Sequence, residues 1–139
     1  MSEMSNTDEP ITVLTEEQSW KLLGTEHMGR LVVIADGRPD IFPVNYAIRD
    51  RKLFFRTAEG SKLVELTVHS EVAFEVDHIR EDTAWSVVIH GRARVLLRYN
   101  EIEAAEELDL QPWVPTPKYN FVEITPTDIS GRSFVLVRK

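Results

Sequence analysis

Two hydrophobic periods alternate along the chain. The stretch "LTEEQSWKLLG" puts Trp20, Leu22 and Leu23 on an apolar helical surface. Thr15 stands where an N-cap belongs, Gln18 where it completes a capping box, and Gly24 where the helix stops. From Arg30 the pattern becomes β-rich: "RLVVIA" and "DIFPVNYAI" flank "DGRP", whose Asp-Gly pair signals a turn. The polar "RDRK" leads to a third strand, "LFFRT". Helical spacing returns in "SKLVELTVH", with Leu63, Leu66 and, as a third candidate, Val64 facing inward. Next come the strands "EVAFEVD" and "AWSVVIHGRARVLLR", the second with a bulge or bend at Gly91. An acidic helix, "NEIEAAEELD", precedes "LQPWVPTPK", whose three prolines rule out a regular element. Two strands, "YNFVEIT" and "RSFVLVR", close the chain.

Six or seven strands with helices between only some of them predict a mainly β fold with flanking helices. An antiparallel barrel fits this spacing better than a βαβ arrangement. The polar, acidic residues 1–10 read as a flexible tail, and 11–139 as one domain.

Composition narrows the partners. Sixteen basic and twenty-three acidic side chains give a net charge of −7, which argues against duplex nucleic acid or an anionic membrane. The absence of cysteine excludes disulfides, zinc–thiolate centres and thiol nucleophiles. "MSEMSNTDEP" lacks the basic and apolar regions of a signal peptide, and no apolar run approaches the roughly 20 residues that span a bilayer. A cytoplasmic location is the expectation.

The densest concentration of donors is "FFRTAEGSK", which sets Arg56, Thr57, Ser61 and Lys62 around Gly60. If a strand ends at Thr57 and a helix starts at Ser61, the unpaired first amides and the helix dipole make an anion site. Arg56 offers a bidentate fork, Lys62 a point charge, and the two hydroxyls further donors. The same residues also suit an N-cap, a glycine turn and two solvated charges. Spacing alone leaves both readings open.

The order "DIFPVNYAI…LFFRTAEGSKL…EVAFEVD…AWSVVIHGRARV" resembles the pyridoxamine 5'-phosphate oxidase-related family of flavin-binding split barrels, from about Gly29 to "SGRSF". The resemblance implies a six-stranded antiparallel split β-barrel. It also implies a homodimer that binds FMN between its subunits. It assigns Arg56, Thr57, Ser61 and Lys62 to the FMN phosphate, and Val44, Asn45 and Tyr46 of "PVNY" to the flavin ring or its polar edge. Trp85 corresponds to a position that contacts flavin from the neighbouring subunit, and Trp113 of "PWVP" to one that covers the ring; core, interface or loop-anchoring roles are the competing readings.

Other constellations do not form. No two of His27, His69, His78 and His90 stand three or four positions apart, so no metal site is expected. Glu101, Glu103, Glu106, Glu107 and Asp109 read as a solvated helix face. Rossmann, P-loop and Gly-x-Ser-x-Gly signatures are absent. The functional expectation is an FMN-dependent oxidoreductase acting on a small molecule, with no catalytic side chain required because the flavin transfers the electrons. The alternatives are a deazaflavin (F420)-dependent reductase and a non-catalytic flavin-binding or flavin-storing protein. The chain ends in "SFVLVRK", where oxidases of pyridoxamine phosphate carry a further segment with Arg and His. The resemblance therefore implies the flavin rather than that substrate.

Overall fold

The computed structural model describes residues 9–57, 61–108, 110 and 120–137, with the side chains of Ser61 and Lys62 outside the description. Seven strands and three helices follow in the order β1 (Ile11–Leu14), α1 (Glu16–Leu23), β2 (Met28–Ala35), β3 (Arg38–Arg49), β4 (Lys52–Thr57), α2 (Ser61–Val68), β5 (Glu71–Ile79), β6 (Thr83–Val95), α3 (Tyr99–Ala105) and β7 (Asn120–Val135). Every strand pairing is antiparallel. The sheet runs β1-β7-β4-β3-β2-β5-β6, and β6 also pairs with β7. That last pairing closes six strands into a ring and leaves β1 attached to its rim. The fold is the split β-barrel that the sequence implied.

Tight turns set the registers. Asp36 and Gly37 both take left-handed φ values, 52° and 74°, and join Ala35 to Arg38. Such a two-residue turn matches the right-handed twist of a hairpin. Asp50 and Arg51 (φ 54° and 57°) make the same turn between Arg49 and Lys52 without a glycine. The capping box of α1 is formed as expected: Thr15 Oγ1 accepts from the Gln18 amide, Gln18 Oε1 from the Thr15 amide, and Gly24 is the C-cap.

Alternation along the strands fills the barrel. Leu31, Val33, Val44, Tyr46, Leu53, Phe55, Phe74, Val76, Trp85, Val87, Ile89, Val122 and Ile124 point into one core, to which α1 adds Leu23 and α2 adds Leu66. Tyr46 meets Phe74 edge to face, with centroids 5.3 Å apart. Its hydroxyl donates to the Leu23 carbonyl at the end of α1. Burial, reinforced by the negative charge of Glu26, pushes the Tyr46 hydroxyl's pKa up, so it stays a donor. Outside the ring, Phe54, Phe121, Leu96, Ala105 and Leu110 form a second cluster where α3 covers β4 and β7. Arg49 ties α3 down by donating to the Ala104 carbonyl at 3.0 Å. Arg94 links Glu101 of α3 to Glu123 of β7, and these hydrogen bonds raise the pKa of Arg94.

Four details depart from the sequence reading. Ile11–Leu14 forms a strand, β1, because β7 offers it an edge from Gly131 to Phe134. "YNFVEIT" and "RSFVLVR" belong to one strand of 16 residues, since β6 pairs with β7 from Val122 to Val135 and holds the intervening residues extended. Gly131 permits this: a Cβ there would collide with Ser19 Oγ, so β7 passes close under α1. Val64 is 62% exposed, as α2 buries Leu66 instead. The acidic helix is shorter than its pattern, ending at Ala105 with Glu106 as C-cap. Gly91 marks a register shift against β7, as its position predicted.

The Tyr46 hydroxyl is the buried tie between the barrel and α1. Tyr46→Phe is expected to lower unfolding stability by about 1–2 kcal/mol, because the Leu23 carbonyl keeps its burial and loses its donor. Urea denaturation followed by tryptophan fluorescence would measure the change, and equal midpoints for the two proteins would refute the assignment.

Candidate functional site

A filled barrel restricts ligand contacts to outward-facing side chains and strand ends. Along β3, Val44 and Tyr46 are buried in the core, whereas Asn45 lies half-buried on the outer face with Ala47. Along β4, Phe55 points inward and Phe54 outward. The β3–β4 pairing ends at Tyr46 and Phe55, and Asn45 and Arg56 are the next positions on the two strands, both on the outer face. On the other side Arg56 pairs with Phe121 and Thr57 with Asn120. The Arg56 guanidinium carbon lies over the Phe121 ring, 4.7 Å from its centre. Arg56 and Phe121 thus form a row across two strands, and Asn45 flanks it on the outer face just past the last β3–β4 pair. The aromatic ring fixes the guanidinium without removing its charge.

Strand β4 ends at Thr57, and α2 begins at Ser61. The strand-to-helix change therefore falls where the anion-site reading requires it, and Arg56 and Thr57 occupy the last two strand positions. Residues 58–60, the side chains of Ser61 and Lys62, and Trp113 lie outside the described residues. Trp85 stands apart from the row: it is 7% exposed and belongs to the barrel core. Tyr46 is also a core side chain, so at its position only the backbone is available to the outer face.

A second polar group occupies the outer face, one strand further on. Arg30 of β2 pairs with Pro43 of β3 and with Glu75 of β5. Its Nε donates to Glu75 Oε1 at 2.8 Å, and its Nη2 reaches Glu75 Oε1 at 2.7 Å and Asp77 Oδ2 at 2.8 Å. Ser86 of β6 donates to Glu75 Oε2 at 3.2 Å. Burial works against the Arg30 charge, but hydrogen bonds and ion pairs with both carboxylates outweigh it and raise its pKa. Burial, together with Asp77, raises the pKa of Glu75 despite Arg30. The sequence carried one signal of this group, the alternation of Glu75 and Asp77 in "EVAFEVD", which puts them on one face. It carried none of Phe121 beneath Arg56, a contact made by register 65 positions away. The acids next to His27 and His78 resolve differently: His78 Nδ1 approaches Glu26 Oε2 at 3.2 Å, and Asp77 goes to Arg30.

Comparison with known proteins is consistent with this geometry. The family model described as pyridoxamine 5'-phosphate oxidase matches residues 15–133. A solved structure from Corynebacterium glutamicum, named for the same oxidase, superposes with a TM-score of 0.88 at 38% identity, over 96% of this chain and 100% of that one. The FAD binding protein of Mycobacterium smegmatis gives 0.79 at 36% identity, over 91% of this chain and 100% of its own. A protein of Mycobacterium tuberculosis with no assigned function is 30% identical over 129 residues, 87% of this chain and 84% of that protein. A match that runs from the N-cap of α1 to Ser133 near the end of β7, with a superposition over 96% of the chain, makes the chain a member of the pyridoxamine 5'-phosphate oxidase family.

Proposed function

We propose that the protein binds a flavin through its phosphate at the end of β4 and acts as an FMN-dependent oxidoreductase on a small molecule. The observation that carries this reading is the placement of Arg56 and Thr57 at the last two positions of β4, three residues before α2 begins. Arg56 and Lys62 would supply charge to the phosphate, and Thr57 and Ser61 hydroxyl donors, with the first amides of α2 completing the set. The donor set suits a phosphate dianion: two cations, two hydroxyls and a helix start, without a carboxylate among the four residues. Asn45, beside Arg56 on the outer face, would meet the ring's polar edge, as would the backbone of Val44 and Tyr46. When bound, the flavin supplies hydride or electron transfer. The chain's own part is to anchor the phosphate and position the ring on a rigid sheet.

FAD is the second reading for the cofactor, favoured by the names of the M. smegmatis relative and of a Mesorhizobium loti FAD-binding protein that is 26% identical with a TM-score of 0.78. The absorption spectrum of freshly purified protein, followed by identification of the molecule released on denaturation, separates FMN, FAD and F420. Reoxidation after reduction by a nicotinamide cofactor separates an enzyme from a storage protein. Arg56→Ala with Lys62→Ala is expected to reduce flavin retention at least a hundredfold while leaving the circular dichroism unchanged. Full occupancy in a folded double variant would overturn the phosphate assignment.

The cofactor site is proposed to lie between two copies of the chain. The outer face of β2 and β3 carries Met28, Ile34 and Ile41, the last 62% exposed and paired with Val32, and such a strip suits burial against a second copy. Light scattering on the purified protein should give twice the chain mass, and Ile41→Glu should shift it toward the monomer. A monomeric parent protein would reject this arrangement. 

A further inference from the structure

The Arg30–Glu75–Asp77–Ser86 group is more than the barrel needs. It lies on the outside of a sheet whose stability comes from the opposite face, and it stands among Met28, Val32, Pro43 and Val88. Two features separate it from an ordinary surface pair. The guanidinium is fixed along one side, with Nε and Nη2 engaged by two carboxylates within 2.8 Å. Nη1 has no partner among the described residues. Glu75 is itself held by Ser86, so the orientation is set from three strands. An arginine fixed this way, with one nitrogen still able to donate, is preorganised to receive an acceptor.

The neighbouring outer-face positions indicate which acceptor. Pro43 stands beside Arg30, and Asn45, two positions along the same face of β3, pairs with Met28 and lies beside Arg56. Arg30 is therefore about 5 Å across the sheet and about 7 Å along it from the Asn45 row, by ordinary strand spacings. An apolar surface of proline and methionine with a single fixed donor suits a flat heteroaromatic ring that carries carbonyl oxygens at one edge.

We propose that Arg30 is a positioning residue for the flavin, presenting Nη1 to the carbonyl edge of the ring while Glu75 and Asp77 hold it in orientation. This rests on the flavin reading above. Compared with the same site lacking the guanidinium, a donor from Nη1 at that edge favours the negative charge that the ring gains on reduction, and so raises the reduction potential of the bound cofactor.

The test is the midpoint potential and absorption spectrum of the flavin on the purified, flavin-loaded protein. Arg30→Met should shift the reduced-to-oxidised ratio at least tenfold toward oxidised flavin. That is about 30 mV lower for a two-electron couple. Arg30→Lys should recover part of the shift, and Glu75→Gln alone, which removes a negative charge from the same group, should move the potential the other way. If Arg30→Met does not fold because two carboxylates lose their cation, Arg30→Met with Glu75→Gln removes one of them, and its potential is read against that of Glu75→Gln alone. Flavin bound normally with an unchanged potential and spectrum in these variants would overturn the role of Arg30 and leave the flavin reading standing. A parent protein that takes up no flavin would overturn both.

Discussion

The pairing of β6 with β7 is the constraint on which the rest of the molecule depends. Without it the chain is an open sheet with two exposed edges; with it, six strands share one interior. Once the ring is closed, every second residue of every strand is committed to the core. Binding chemistry must then come from outward positions and strand ends. Tyr46 and Asn45 show the consequence at adjacent positions: one is 3% exposed and anchors α1, and the other faces out beside Arg56.

Closure also explains where small residues are required. A Cβ at Gly29 would lie 2.6 Å from the Phe74 ring, and one at Gly91 would lie 2.6 Å from the Thr125 carbonyl. Both are places where backbone and core approach more closely than side chains allow. The shift at Gly91 lets β6 follow β7 through a change of register, and Gly131 lets α1 lie directly on β7. The outer cluster under α3 adds a second layer on β4 and β7. One of its two aromatic residues, Phe121, lies beneath Arg56, so packing and the candidate site share a side chain.

The sequence revealed the features decided within a few residues. The capping box of α1, the Asp36-Gly37 turn and the start of α2 at Ser61 follow from local chemistry and were legible. The β1 strand was not, because four residues gain strand structure only from the edge that β7 offers. The unity of β7 was hidden for the same reason: Pro126 and Gly131 are poor strand residues, and long-range pairing with β6, joined at Gly131 by β1, keeps them extended. In the site, the cations of "FFRTAEGSK" were visible as a cluster, but the aromatic ring under Arg56 and the carboxylates around Arg30 come from long-range register. Periodicity could place Asn45 and Tyr46 on opposite faces; it could not show that the Tyr46 face was the filled one.

A net charge of −7 and an anion-binding role are compatible because electrostatic range is short. Exposed charges farther apart than about 8 Å are largely screened at physiological ionic strength, so a phosphate responds to the few groups around it. Four acids of the outer faces are engaged by arginines: Glu75 and Asp77 with Arg30, Glu101 and Glu123 with Arg94. Hydrogen bonding to Arg94 lowers the pKa of Glu101 and keeps it ionised within its pair. Arg56 lies over the Phe121 ring, an aromatic face that orients the cation. The acidic remainder of the surface works against extended polyanions, which need many contacts, and leaves room for a ligand whose anionic group is a single phosphate.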